Sequence, residues 1–291
     1  MRSSLFAAVL AGLLPALAFG QAAKESATGT SSRGLPLAPV EEIESAAIQQ
    51  YRDLVSSAAR HRALAPEEHP PLHRVRAIAE RLIERAPSYN RRASQWKWEV
   101  NLIGSRHLNV LCMPGGKIAV FTGIIDALRL NDDELAFAIA HEIAHALQEH
   151  ARERVGRARP ADWLLLNSAV FAPFLGYGDS VPQPATDGNK LLILKYTNDD
   201  ESDADGVGLE LAARAGFDPR AALSFWQKVS NTQGLPAWLL THPAYNARIR
   251  DIEARLPALL PIYAKATGQD PERLPAYAMP AQGKPEPGRA N

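Results

Sequence analysis

The 291-residue sequence contains one cysteine, Cys112, and balanced charge, with 32 basic and 32 acidic side chains. A single cysteine cannot form an intramolecular disulfide, so the fold must be stabilised by packing and by any metal that it binds. We interpret Cys112 as a small buried apolar residue. The zero net charge gives no reason to expect binding of nucleic acid or of an anionic membrane surface.

The apolar run near the N-terminus, residues 5–18, is short for a transmembrane helix and is interrupted by Pro15. With Arg2 before it and small residues at its end, it is typical of a secretory signal peptide of residues 1–20, cleaved before Gln21. The sequence thus predicts an exported, periplasmic protein, and a membrane anchor formed by residues 5–18 is the alternative. Since no cysteine lies near the cleavage site, lipid attachment there is not expected.

The chain divides into segments of different composition. Residues 21–39 are rich in Ser, Thr, Gly and Ala and predict a flexible leader, whereas residues 266–291 predict a Pro-rich, disordered tail. Between them, residues 40–265 are expected to form one domain with a substantial core. The apolar stretch 161–178 predicts a core helix or a wall that faces substrate, with peripheral membrane contact as the alternative. The loop at 178–188 would suit a lid.

Hydrophobic periodicity predicts an α+β fold that is rich in helices and has a small β-sheet. Residues 96–103 alternate as in a strand, and residues 108–113 and 117–122 flank a turn as in a β-hairpin. Helical periodicity is found at about 40–65, 71–86, 123–128, 133–157, 191–215, 219–230 and 243–254.

The clearest chemical signal is the pentapeptide HEIAH at residues 141–145. Side chains four apart on a helix lie on one face, so His141 and His145 can converge on one Zn²⁺. Glu142 can reach a water bound to that metal and act as its general base. The alternative is a helix whose histidines lie on the surface. The apolar residues on either side of HEIAH instead indicate that this helix is buried. Burying histidines that have no role carries a desolvation cost.

Such a zinc site requires a third protein ligand. His150 lies nine residues after His141, which places it on the opposite face of a continuous helix, and it is predicted to be exposed. Gln148 and Ala151 occupy the positions at which the metzincin pattern has glycine and histidine, so that class is excluded.

The better candidate is Glu201, in an acidic cluster that starts a predicted helix. The helix dipole favours acids near the first turn, but it does not explain why Glu201 and Asp205 lie one turn apart. Gly206 and Gly208 follow, and small residues would allow this helix to pack closely against another. We therefore assign Glu201 to the metal. We expect Asp205 to accept the N–H of a ligand histidine and to fix its tautomer.

HEIAH followed by ESDAD at residues 201–205 resembles the gluzincin metallopeptidases of family forty-eight. Further similar segments lie at residues 109–128, 209–222 and 241–249. The resemblance covers about residues 40–265. The chain departs from the family at Asp203, where glutamate is common. It also lacks the several transmembrane helices of some members, so it looks like the soluble periplasmic branch.

The resemblance implies a zincin-like metallopeptidase domain with one Zn²⁺ per chain and with Glu142 as general base. The implied metal ligands are His141, His145 and Glu201. The resemblance also brings His242 and Arg248 to the active site. There His242 would donate to the oxyanion or cap the metal, and Arg248 would support it through a carboxylate. From the residues alone, His242 is better interpreted as part of a helix start before Pro243.

The same resemblance implies a zinc-dependent endopeptidase of the cell envelope that hydrolyses misfolded or unassembled proteins. The strand at residues 117–122 would be an edge strand that faces the active-site helix and binds extended polypeptide substrates. Peripheral association with the membrane or with outer-membrane assembly machinery is a further expectation. Two alternatives stay open: a chaperone or assembly factor with a capped, little-used site, and a structural zinc site with His242 as a fourth ligand.

Overall fold

The computed structural model describes residues 33–34, 36–157, 196–232, 242 and 245–277. The predicted signal peptide or anchor, most of the leader, the apolar stretch with its loop at 161–188, and the tail after residue 277 lie outside these ranges. Within the described part of the chain, no helix is both long and apolar enough to cross a membrane.

The described residues form a helix-rich α+β fold with a small sheet, which confirms the predicted fold class. Numbered in chain order, the helices are α1 (Val40–Arg60), α2 (Pro70–Ile83), α3 (Thr122–Leu128), α4 (Asp132–Leu147), α5 (His150–Arg157), α6 (Asn198–Arg214), α7 (Ala221–Ser230) and α8 (Tyr245–Thr267). The strands are β1 (Glu99–Ile103), β2 (Val110–Met113) and β3 (Lys117–Phe121). Short 3-10 turns lie at Ala86–Ser88, Arg91–Ser94 and Pro271–Arg273.

The sheet has the order β1-β3-β2, with β3 parallel to β1 and antiparallel to β2. The predicted hairpin is confirmed, and its turn requires the positive φ angles of Gly115 and Gly116, 82° and 77°. The expectation that residues 117–122 form an edge strand is wrong, because β3 is hydrogen-bonded on both sides. The strand that lies at the edge and packs against α4 is β2.

The sheet separates two apolar clusters. Alternate residues of β2 enter different clusters: Val110 and Cys112 join the one that contains α4, and Leu111 joins the one that contains α1. Cys112 is buried, as predicted. On the α1 side, the Tyr51 hydroxyl donates a 2.6 Å hydrogen bond to the carbonyl of Ile118, which attaches α1 to the central strand.

α4 begins at a capping box, in which the Asn131 side chain accepts from the Glu134 amide and the Glu134 carboxylate accepts from the Asn131 amide. The single helix predicted at 133–157 is wrong, because the chain turns after Leu147. Glu149 adopts a left-handed conformation with φ of 60°, and Asn90 Nδ2 donates to the Leu147 carbonyl at 3.0 Å.

α8 is longer than the helix predicted at 243–254, and it continues through Pro257 and Pro261. Both prolines are exposed, so the helix loses backbone hydrogen bonds at positions where solvent can replace them. The described part of the predicted tail packs on the domain, since Asn131 Nδ2 lies 3.1 Å from the Tyr277 hydroxyl.

Candidate metal centre

α6 crosses α4 closely at the level of HEIAH. A Cβ atom on Gly208 would lie 3.0 Å from the Cα and N atoms of His141, so a larger residue would push the helices apart. Gly206 instead faces the end of the Arg255 side chain. The prediction that small residues permit close packing is confirmed at Gly208. This packing brings Glu201, two turns earlier on α6, next to α4.

The predicted ligands meet in one buried cluster. Ligand atoms of His141, His145, Glu201 and His242 all lie within 4.8 Å of one another. Nε2 of His141 is 3.1 Å from Nε2 of His145 and 3.5 Å from Oε2 of Glu201. Nε2 of His145 is 3.7 Å from Oε1 of the same carboxylate. All four side chains are buried, so the cluster is a candidate metal site.

The donor set fits a zinc ion. Two imidazole nitrogens and one carboxylate, with a further position open, are a combination that catalytic zinc sites use. Arg248 Nη1 forms a buried ion pair with Oε2 of Glu201 at 2.5 Å. Oε1 accepts no hydrogen bond from the described residues, and a bound cation would offset the cost of burying it.

Asp205 and Arg248 form a buried ion pair behind His141. Nε and Nη2 of Arg248 each lie 2.7 Å from an Asp205 oxygen, and Asp205 Oδ1 lies 3.1 Å from Nδ1 of His141. Burial raises the pKa of Asp205, but Arg248 and His141 together lower it to about 2, so the carboxylate is ionised. It is placed to accept the Nδ1–H of His141.

His145 is surrounded by different groups. Its Nδ1 lies 2.9 Å from Nδ1 of His150. The Tyr196 ring stacks on the His145 ring, with centroids 3.7 Å apart and an interplanar angle of 18°. The prediction that His150 is exposed is wrong, since it is only 1% exposed. The reason is the left-handed Glu149, which turns the chain so that α5 brings His150 back to the site.

Glu142 and His242 contact each other beside the cluster. Nε2 of His242 lies 3.2 Å from Oε1 of Glu142, and both side chains are buried. The His242 ring centroid is 5.2 Å from that of His141 and 5.3 Å from that of His145. The structure therefore brings His242 and Glu142 together with the ligand cluster, and Arg248 contacts it directly at Glu201 as well as through Asp205.

Sequence reasoning missed Tyr196 and assigned no role to His150. A signal for Tyr196 was available, because Thr197 and Asp200 form a capping box and Tyr196 directly precedes the N-cap, where an apolar residue often packs against the helix. For His150 no comparable signal exists. A left-handed residue after a helix is usually glycine, and here it is Glu149.

Comparison with known proteins agrees with this geometry. The chain matches Peptidase family M48 over residues 71–256. It is 31% identical over 211 residues to the mitochondrial metalloendopeptidase OMA1 of Schizosaccharomyces pombe, which covers 71% of this chain and 59% of that protein. It is 28% identical over 225 residues to the beta-barrel assembly-enhancing protease of Yersinia pestis, covering 72% of this chain and 44% of that protein.

The same-named protease of Escherichia coli is 28% identical over 177 residues, which cover 57% of this chain and 36% of that protein. The chain thus spans less than two thirds of the length of these relatives. The family match covers most of the domain and includes both histidines of HEIAH, Glu201 and His242. Together with the buried cluster, it establishes that the chain belongs to peptidase family M48.

Proposed function

We propose that this protein is a zinc-dependent endopeptidase that binds one Zn²⁺ through His141, His145 and Glu201. The observation that carries this proposal is the buried convergence of two imidazoles and a carboxylate, whose ligand atoms all lie within 4.8 Å of one another. The relatives named as metalloendopeptidases support the same activity.

Glu142 is the proposed general base. Bound zinc would acidify a water molecule and polarise the scissile carbonyl. Glu142 follows His141 directly on α4, so its carboxylate is beside the cluster without belonging to it. It accepts a proton from water and later donates a proton to the leaving amine.

His242 has two proposed positions. In the structure its Nε2 lies 3.2 Å from Oε1 of the Glu142 carboxylate. When substrate binds, His242 leaves Glu142 and donates its N–H to the carbonyl oxygen, on which negative charge develops. Arg248 keeps Asp205 ionised and thereby supports the orientation of His141.

We propose that polypeptide substrates bind in extended form along β2. The Phe121 amide donates to the Asn109 carbonyl. Because hydrogen-bonded pairs alternate along an antiparallel ladder, the backbone groups of Val110 and Cys112 point away from β3. An added peptide strand could pair with them and lie close to α4. This replaces the strand at 117–122, which has no free edge.

For the biological role, we propose cleavage of misfolded or unassembled proteins in the cell envelope, with export directed by residues 1–20. The support is the apolar, signal-like composition of those residues and the likeness to beta-barrel assembly-enhancing proteases. We also propose peripheral association with outer-membrane assembly machinery, and the support is the words beta-barrel assembly in those names.

The activity is tested by comparing wild type with Glu142→Gln. Both proteins are expected to contain one zinc per chain by atomic emission. Wild type should cleave unfolded casein, and Glu142→Gln should be slower by about 10²–10⁴-fold, the usual contribution of a general base. Equal cleavage by the two proteins would contradict the role of Glu142. If neither cleaves although zinc is bound, a chaperone or assembly role is favoured instead.

A further inference from the structure

His150 is a buried histidine that the proposed reaction does not use. It is the first residue of α5 and is 1% exposed. Its Nδ1 atom lies 2.9 Å from Nδ1 of His145, and the two ring centroids are 5.0 Å apart at an interplanar angle of 70°. Two ring nitrogens at this distance are hydrogen-bonded, so one of them must carry a proton and the other must accept it.

Several contacts hold His150 in this place. Asn90 caps the end of α4 at the Leu147 carbonyl, and Arg152 Nη1 lies 2.5 Å from Oε1 of Glu149 in the turn. α5 is attached to the segment before α1, since Arg152 Nε donates to the Ala38 carbonyl at 2.8 Å. The turn is thus fixed at both ends, although Glu149 has the left-handed conformation that non-glycine residues disfavour.

The direction of the hydrogen bond follows from the valence of imidazole. Nε2 of His145 faces the cluster, 3.1 Å from Nε2 of His141 and 3.7 Å from Glu201. If His150 donated to Nδ1 of His145, neutral His145 would carry its proton on Nε2 and could not bind a metal there. If His145 donates from Nδ1, its Nε2 lone pair is free and directed at the cluster.

We propose that His150 is a positioning residue that accepts the Nδ1–H of His145 and so holds the tautomer needed for metal binding. The inference rests on the proposed zinc site. His145 is then the counterpart of His141, whose Nδ1 faces Asp205, but its acceptor is a neutral ring rather than a carboxylate. Stacking by Tyr196 restricts rotation of the His145 ring, and the hydrogen bond to His150 selects its proton position.

The matched variants His150→Asn and His150→Gln test this proposal. The side-chain oxygen of Asn can occupy the position of the histidine Nδ1 atom, whereas that of Gln corresponds to Nε2 and cannot. In competition titrations of the metal-free full chain with a chromophoric zinc chelator, His150→Asn should bind zinc within about threefold of wild type. His150→Gln should bind about 10–100-fold more weakly, as is typical when the partner of a metal-ligating histidine is lost.

Urea unfolding of the metal-free variants separates this effect from packing. The two variants should have similar stability without metal and differ only in zinc affinity. His150→Phe, which keeps a ring but has no acceptor, should behave like His150→Gln and replaces it if that variant does not fold. Wild-type zinc affinity in His150→Gln or His150→Phe would overturn the proposal. It would also be overturned if His150→Asn and His150→Gln lost zinc affinity equally and in proportion to their loss of stability.

His145→Ala distinguishes failure of this inference from failure of the zinc site. It is expected to bind zinc far more weakly than any His150 variant, because it removes a ligand. If His145→Ala binds zinc as tightly as wild type, the metal is not at this cluster, and the proposed function and the role of His150 are both overturned.

Discussion

The two histidines of HEIAH lie one turn apart on α4, yet their surroundings differ in charge. His141 faces the ionised Asp205, which is paired with Arg248, whereas His145 faces uncharged aromatic rings. Burial lowers the pKa of both histidines, but the Asp205 and Glu201 carboxylates beside His141 outweigh burial and raise the pKa of His141 to about 9. The pKa of His145 is well below its usual value, because burial and the neighbouring histidines lower it.

The fold thus supports two histidine ligands without accumulating negative charge. α6 and α8 bring a carboxylate and a guanidinium to His141, and Arg248 balances the charge of Asp205. α5 brings the His150 ring to His145, and Tyr196, just before α6, stacks on it. Both Nδ1 atoms therefore have an acceptor, while only one buried negative charge is added beyond that of Glu201.

The charged side is expected to be the more sensitive. Asp205→Asn should lower the free energy of unfolding by about 3 kcal/mol, because removing one partner leaves the buried Arg248 guanidinium less compensated. It should also weaken zinc binding by about 10–100-fold. Urea unfolding and zinc titration measure the two effects.

Asp203→Asn is the control, since this carboxylate lies on the same helix with its side chain 51% exposed. It should change stability by less than about 0.5 kcal/mol. Equal effects of the two substitutions would contradict the importance of the buried pair.

The close packing of α6 on α4 is expected to have the next largest effect. Gly208→Ala should destabilise the protein by about 1–3 kcal/mol, because its Cβ would meet the backbone of His141 and force the helices apart. Zinc binding should weaken as well, since Glu201 would move away from the histidines. Gly206→Ala is the matched control: its Cβ meets the movable end of Arg255, and alanine favours a helix by up to about 1 kcal/mol. Thermal unfolding measures the Tm of both variants. An equal decrease in the two would show that the close approach of the helices at Gly208 does not cause the destabilisation.

The smallest effect is expected on the neutral side, at Tyr196. Tyr196→Leu should weaken zinc binding about fivefold, because loss of the stacked ring removes about 1 kcal/mol of interaction with His145. Tyr196→Phe keeps the ring and should bind zinc within about twofold of wild type. A loss in Tyr196→Phe as large as in Tyr196→Leu would mean that the hydroxyl, rather than the stacked ring, supports the site.

Much of the fold and of the site was predictable. Residues four apart on a helix must share a face, so His141 and His145 converge whatever surrounds them. Glu201 was found through its spacing from Asp205 and through the glycines after it. The edge strand was assigned wrongly, because β3 returns to pair with β1, which is not its neighbour in sequence. The alternation of apolar residues does not reveal such a pairing.

Residue type and helical spacing were enough to identify the metal chemistry, because His141 and His145 share one face of a helix and Glu142 follows His141 directly. Which groups stand behind the ligands depends on tertiary contacts. Asp205 reaches His141 through the close approach at Gly208. His150 reaches His145 only because Glu149 leaves the helical conformation. Surrounding contacts such as the Asn90 cap, rather than the local sequence, set this change of backbone direction. No sequence pattern therefore predicts it.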